Sequence, residues 1–334
     1  MTAGIDARAA ALHRDALVWD NHGCMPLETQ ALLAEYLPQL TRYRDAGTDV
    51  VMINIGYGEM TLGEHLERLA HLRRYVRAHP EHFVEALTVA DVERAKASGR
   101  LAVGYDIEGM APIQDELALI STFYDLGVRW MLIAYNRTNR IGGGCHDADP
   151  GLTDYGRKAL DEMARVGMVV CCSHTGYRTA LDVMRHSKNP VILSHSNPRA
   201  LKDHPRNVPD EILDACAATG GVVGINGIGL FLGDNDISSA TYVRHVDYVA
   251  KRIGVEHVAI GMDYVFDQEG LDADLQKYKH TFPEGWGYDP GIRCKPPEEL
   301  PEVTAGLLEL GYSEDDVRAI LGGNLLRVAK AVWK

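Results

Sequence analysis

The chain has no basic stretch. Lysine and arginine number 34 against 47 aspartates and glutamates, a net charge of −13, and no lysine- or arginine-rich block occurs. Nucleic acid is therefore not an expected partner, because phosphate binding needs a clustered basic face. Nor does MTAGIDARAAALHRDALVW read as a signal peptide, since it carries acids and no apolar core of that length. No later run approaches the roughly 20 apolar residues of a membrane-spanning helix. The six cysteines (Cys24, Cys145, Cys171, Cys172, Cys216 and Cys294) lie mostly inside or beside expected strands and helices. Without a secretion signal they read as reduced thiols rather than as a disulfide framework. The expectation is a soluble, cytoplasmic protein with neither a membrane nor a nucleic-acid partner.

What the chain does have is repetition. Its 334 residues are 46% hydrophobic, enough for one large domain with a full core. Eight apolar, β-branched runs read as strands, at about 16–21, 50–56, 101–107, 128–135, 168–173, 191–194, 221–226 and 257–262. Continuous rather than alternating apolar runs mark strands buried on both faces, as in a parallel sheet. Helix-period stretches separate them, with punctuation. Thr153 caps the helix through Leu160 and Met163, which Gly167 ends; Asp210 caps the next, which Gly220 and Gly221 stop; Ser313 and Asp316 form a capping box. Eight alternations with no internal linker predict a single (β/α)8 TIM-like barrel over residues 1–334. An open doubly wound sheet is the alternative, but it would not bring the first, third, fifth, sixth and eighth runs to one site.

Two regions depart from the repeat. Residues 137–150 are glycine-rich (IGGGC) and follow the fourth run, the place for a flexible active-site loop. Residues 265–300 exceed what a barrel connection needs and hold Tyr278, His280, Phe282, Trp286 and Tyr288. An insertion on the active face acts as a lid or specificity wall; simple surface packing by the aromatics is the other reading.

The chemistry gathers at strand ends. The runs ALVWDNH, LAVGYDIE, MVVCCSH, PVILSH and HVAIGMD finish in His22, Glu108, His174, His195 and Asp263. Beyond the carboxyl ends of barrel strands such groups converge on one rim, where enzymes of this fold keep their catalytic residues. Histidines with carboxylates on that rim point to a metal-dependent hydrolase. His22 and Cys24 are two apart, so on an extended strand both face the same side and can grip a metal; ordinary core packing is the plainer reading. Glu108 is costly at the end of an apolar run unless it binds metal or pairs with an arginine. His174 and His195 repeat one pattern, apolar run then Ser-His, which makes a chance pair of core histidines the weaker explanation. Asp263 can hold a water or take a proton, or else cap a helix or form an ion pair.

Several stretches together, WDNHGCMP, YDIEG, GLTDYGRKALDEMARVGMVVCCSHTG, PVILSHSNPRAL, HPRNVPDEIL, GVEHVAIGMD and GYSEDDVRAILGGNLLRV, resemble the membrane (renal) dipeptidase family of binuclear zinc peptidases. The resemblance covers almost the full length and implies a (β/α)8 barrel. It implies that Glu108 bridges two zinc ions, that His174 and His195 complete one zinc site, and that His22 belongs to the other. Asp263 matches the aspartate that handles the proton. Arg206 matches an arginine that binds the substrate's terminal carboxylate, a role its planar fork suits; a structural ion pair with Asp210 is the alternative. Family members are often homodimers.

Two positions depart from that pattern. The family's His-x-Asp is His22-Gly-Cys24 here, so a carboxylate ligand has become a thiol. A thiolate binds zinc and makes it a weaker Lewis acid; if Cys24 does not ligate, one zinc remains with Glu108, His174 and His195. The family's Thr-His-Asn is Ala134-Tyr135-Asn136, with Tyr135 the candidate donor to the oxyanion and Asn136 a candidate substrate contact. The expected activity is cleavage of a dipeptide amide bond in a small substrate with a free carboxylate. The alternatives are a non-peptide amide, lactam or N-acyl substrate on the same fold, a catalytically silent metal-binding protein, and a barrel lyase or isomerase, for which no rim lysine is evident.

Overall fold

A one-residue irregularity in the first strand decides where the chemistry points. The computed structural model describes residues 6–26, 30–58, 60–113 and 115–334. Its sheet contains β1 (Trp19–Cys24), β2 (Val50–Tyr57), β3 (Phe83–Glu85), β4 (Leu101–Glu108), β5 (Val128–Leu132), β6 (Val169–Cys171), β7 (Val191–Ile192), β8 (Val223–Ile225), β9 (Val258–Ile260) and β10 (Tyr264–Val265). All pairings between these strands are parallel, in the order β7-β6-β5-β4-β2-β1-β9-β8. A parallel bridge from Leu193 to Val223 joins the two ends and closes an eight-stranded barrel. Two short strands lie outside that count. β3 pairs with the start of β4 before β5 takes over that edge, and β10 extends alongside the end of β1.

The eight expected runs each supply one barrel strand. The first runs Trp19–Cys24 rather than 16–21, so His22 and Cys24 lie within β1, not past it, and Glu108 likewise is the last residue of β4. Opposite β2, four residues of β1 (Asp20 to Gly23) face three (Val51 to Ile53). Such a bulge re-aims the side chains beyond it. Trp19 packs inside the barrel, and past the bulge His22 faces the interior too, its ring 5.4 Å from Trp130 and 4.2 Å from His195.

Inside the barrel, Val50, Met52, Ala102, Trp130, Val169 and Ile192 fill the lower half, and Leu325, Val328 and Val332 of the helix Asn324–Val332 cover its base. The larger cluster lies between strands and outer helices. Thr153 accepts from Gly156 N to cap the helix Asp154–Val166, and both bonds of the Ser313–Asp316 capping box form. Asp210 does not cap. Pro209 holds the cap position, and the Asp210 carboxylate accepts from the Tyr248 hydroxyl and pairs with Arg252. No helix among the described residues is long and apolar enough to cross a membrane.

The glycine-rich loop is pinned rather than flexible. Cys145 N donates to His174 O, Gly176 N to Gly143 O and His146 N to Asn136 O. A Cβ on Gly144 would lie 2.2 Å from the Asn136 carbonyl group, so glycine there permits close backbone approach, not motion. Asp149 anchors the loop by accepting from Thr179 Oγ1 at 2.6 Å and from the first amides of the helix Tyr177–His186.

Candidate metal centre

Three imidazoles and a carboxylate converge at the carboxyl end of the barrel. Glu108 Oε1 lies 3.1 Å from His195 Nε2, 3.3 Å from His174 Nε2 and 3.5 Å from His22 Nε2. His174 Nε2 and His195 Nε2 are 3.0 Å apart. Cys24 Sγ is 3.4 Å from His22 Nε2 and 3.6 Å from Asp263 Oδ1. Two sets of donor atoms within metal-sharing distance result, His22–Cys24–Asp263 and His22–Glu108–His195.

The rear nitrogen of each ring is held. His22 Nδ1 meets Asp106 Oδ2 at 3.2 Å, His174 Nδ1 meets Asn136 Oδ1 at 2.7 Å and His195 Nδ1 meets Ser194 Oγ at 2.8 Å. An amide oxygen only accepts, and so does an ionised carboxylate. His174 therefore carries its proton at Nδ1 and turns a lone pair at Nε2 toward Glu108, and His22 donates from Nδ1 to Asp106. A metal ion among these nitrogens and the carboxylate, packed at 3.0–3.5 Å, would take lone pairs at Nε2 and offset the Glu108 charge. Glu108 Oε1 is also buried without a hydrogen-bond partner. The donor set fits a divalent metal, and its thiol and imidazoles suit zinc.

The electrostatics of the pocket agree. Burial lowers the pKa of His174 to about 3 and holds His195 well below the ordinary imidazole value, so both are neutral. Burial disfavours the His22 imidazolium as well, yet Cys24, Asp106 and Glu108 outweigh it and push His22 well up. The surroundings of His22 thus favour positive charge. Burial would raise Glu108, but the charge favoured at His22, with the His174 and His195 rings close by, holds it well below the carboxylate range. Burial raises Asp263 to about 6, against the opposing charge of His22. Burial, with the charges of Asp263 and Glu108, raises the Cys24 thiol against His22, a direction that ligation to a cation would reverse.

The other expected site residues lie close by. Asp263 Oδ2 accepts from Asn226 Nδ2 at 2.7 Å. The Tyr135 ring stacks on His174 at 4.3 Å, and burial keeps its phenol protonated. Arg206 is 2% exposed; it donates to His195 O at 2.8 Å and Ser196 Oγ at 3.3 Å, while its Nε has no partner. It makes no ion pair with Asp210, whose partner is Arg252. One cleft, lined in part by Cys24, Glu108, Tyr135, His174 and Asp263, also takes walls from residues 265–300, including Val265, Leu275 and Phe282. Phe282 and Tyr288 of that segment, with Tyr278 and Trp286 against them, pack with Ile228 and Phe231 in a small apolar cluster.

Asp106, Asn226 and Ser194 escaped the sequence reading. A signal existed for Asp106, which stands two before Glu108 in YDIE and so shares its face of the strand. Asn136, His174 and Asp263 have φ of 56°, 59° and 57°, so three non-glycine residues of the centre are left-handed. Strain of this kind gathers where function demands a particular side-chain direction.

The model of the membrane dipeptidase family, peptidase family M19, matches residues 7–284. Dipeptidase verJ of Clonostachys rogersoniana is 33% identical over 256 residues, which is 74% of this chain and 59% of that protein. The chain therefore spans less than two thirds of that relative's length. An uncharacterized protein in the pqqA 5′ region of Klebsiella pneumoniae is 31% identical over 280 residues, 80% of this chain and 96% of the relative. Among solved structures, an amidohydrolase from Pseudomonas aeruginosa superposes with a TM-score of 0.87 at 27% identity, covering 97% of this chain and 99% of the other.

Proposed function

Because the chain belongs to the membrane dipeptidase family, peptidase family M19, we propose that it is a metal-dependent hydrolase that cleaves the amide bond of a dipeptide with a free carboxylate. The observation that carries this reading is the convergence of three imidazole Nε2 atoms on Glu108 with their rear nitrogens fixed. His22, Cys24 and Glu108 would hold one zinc ion, and Glu108, His174 and His195 the other. The metal supplies Lewis acidity toward the scissile carbonyl and lowers the pKa of water.

The chain's own groups do the rest. Asp263, raised to about 6 and oriented by Asn226, accepts a proton from the attacking water and passes it to the leaving nitrogen. Tyr135, a protonated phenol against His174, donates to the developing oxyanion. Arg206 anchors the substrate carboxylate, with Asn136 beside the same rim; a buried guanidinium with no acid partner among the described residues is suited to an anion. Residues 265–300 form the outer wall of the cleft as an insertion in a single-domain barrel. The free state of all six cysteines supports a cytoplasmic setting, and a homodimer is the assembly the family resemblance implies.

A second reading has its own support. Cys24 and Tyr135 replace an aspartate and a histidine of the family pattern, so a non-peptide amide, lactam or N-acyl substrate fits the altered centre. Hydrolysis of a panel of L,L and L,D dipeptides and one lactam by the zinc-loaded protein separates the two. Dipeptide turnover that Glu108→Gln abolishes together with metal binding supports the first reading. Two bound zinc ions with turnover of the lactam alone support the second.

A further inference from the structure

Two cavities meet at His174, and they differ in charge. One brings Arg199 and Arg206 to its wall, beside Asp147 and Asp149. Those acids are engaged elsewhere, Asp147 with Arg137 and Asp149 with the first amides of the helix Tyr177–His186. The other cavity carries Glu108, Asp263, Asp267 and Asp274, and no lysine or arginine among its described lining residues. Glu108 lines this second cavity but is 5% exposed, with Oε1 turned to the imidazoles of the metal centre.

Glu108 and Asp263 belong to the metal centre, which leaves two acids to explain. Asp267 caps the helix Gln268–Lys277 through Gly270 N and accepts from the Tyr36 hydroxyl. Asp274 has no such structural task. Its single hydrogen bond comes from the Tyr57 hydroxyl, at 2.8 Å, and it forms no ion pair with a described residue. Burial pushes the Asp274 carboxyl up, against the Tyr57 hydroxyl and the charge of Lys277 one turn along the helix, and a cation in the cleft would add to that compensation.

The way to Asp274 is lined for a long side chain. Tyr135 stacks on His174 at 4.3 Å, Tyr57 lies 5.2 Å from Tyr135, and Tyr57 in turn holds Asp274. Leu271, Leu275 and Ile292 complete the same cavity. An apolar passage ending in a carboxylate accepts an aliphatic stem with a cationic tip, the shape of lysine and arginine. Since the Arg206 cavity takes the substrate's carboxylate, the N-terminal half of a dipeptide must lie on the Asp274 side.

We propose that Asp274, on the Tyr57 wall of the cleft, selects dipeptides whose N-terminal residue carries a long basic side chain. This rests on the dipeptidase reading above and deepens it. The test compares lysyl-alanine with norleucyl-alanine, which keeps the stem and lacks the ammonium group. The zinc-loaded wild type should favour lysyl-alanine about tenfold in kcat/KM, mostly through KM, and Asp274→Asn should bring the ratio close to one. Equal use of the two by the wild type, or a preference that Asp274→Asn leaves intact, overturns the proposal. If neither dipeptide is cleaved, the hydrolase reading fails instead, and binding still decides this one. Calorimetry with L-lysinamide and L-norleucinamide should then give tighter lysinamide binding that Asp274→Asn removes, and equal binding by the wild type overturns it.

Discussion

The Asn136 side-chain oxygen lies 2.7 Å from His174 Nδ1, and both residues sit in the left-handed backbone region, at φ 56° and 59°. The amide fixes the proton of His174 on the rear nitrogen and so presents the other nitrogen to the metal. Removing it in two ways separates that role from backbone strain. Asn136→Gly and Asn136→Ala should each weaken zinc binding by roughly 10- to 100-fold, read by competition with a chromophoric chelator. Alanine should cost about 1 kcal/mol more than glycine in urea unfolding, because only glycine adopts positive φ freely. Unchanged zinc affinity in both variants removes Asn136 from this role.

Arg206 invites a similar dissection. Its guanidinium is buried against His195 O and Ser196 Oγ with Nε unpartnered, so Arg206→Ala removes a charge as well as packing. The expected result is a rise in KM of about tenfold or more for a dipeptide with a free carboxylate, against little change for its C-terminal amide. Arg206→Lys keeps the charge without the fork and should fall between. An equal effect on acid and amide would assign Arg206 to structure alone.

Much of this centre was legible because its residues end apolar runs. His22 and Glu108 lie in the last residues of buried strands, His174, His195 and Asp263 just past theirs, and closure of a parallel barrel brings such ends together. The supporting groups were not legible. Asp106 reaches His22 from a strand that is not its neighbour in the sheet, and Asn226 reaches Asp263 from 37 residues away. Pairing at that distance depends on strand order and register, not on local pattern. The bulge between Asp20 and Gly23 was equally hidden, since one extra residue leaves the apolar run unchanged while reversing which side chains face in. The glycines at 142–144 misled for a related reason. Composition alone cannot tell a glycine that frees the backbone from one that lets another strand of chain approach.

Acid should destabilise the fold through histidines far from the metal. His13, bonded to Thr304 Oγ1, and His245, bonded to Leu232 O, are each brought down to about 4 by burial. The unfolded chain has them near 6.5, so between pH 6.5 and 4 it binds more protons than the native state. Their stabilising contribution is full above pH 6.5 and declines as pH falls toward 4. In the presence of chelator, so that acid release of metal plays no part, urea unfolding should show a loss of about 1–2 kcal/mol per histidine between pH 7.5 and pH 5. Replacing both with asparagine should leave a shallower fall. A double variant whose stability declines as steeply as the wild type would place the acid sensitivity elsewhere.

Cys24 gives the centre its distinguishing chemistry. The β1 bulge turns its sulfur to within 3.4 Å of His22 Nε2 and 3.6 Å of Asp263 Oδ1, where an aspartate would offer a harder, less donating ligand. If the thiolate ligates, the cobalt(II)-substituted protein should carry a near-ultraviolet sulfur-to-metal charge-transfer band that is absent in Cys24→Ser. The same substitution should weaken binding of one of two metal equivalents by about tenfold or more while sparing the other. Cys24→Asp should also lack the band but keep both equivalents, since a carboxylate can occupy the same position. Its metal would be the stronger Lewis acid, so its turnover should respond to pH at a lower value than the wild type. A wild-type cobalt spectrum without the sulfur band, and two equivalents retained in Cys24→Ser, would mean that the thiol packs beside the metal without touching it.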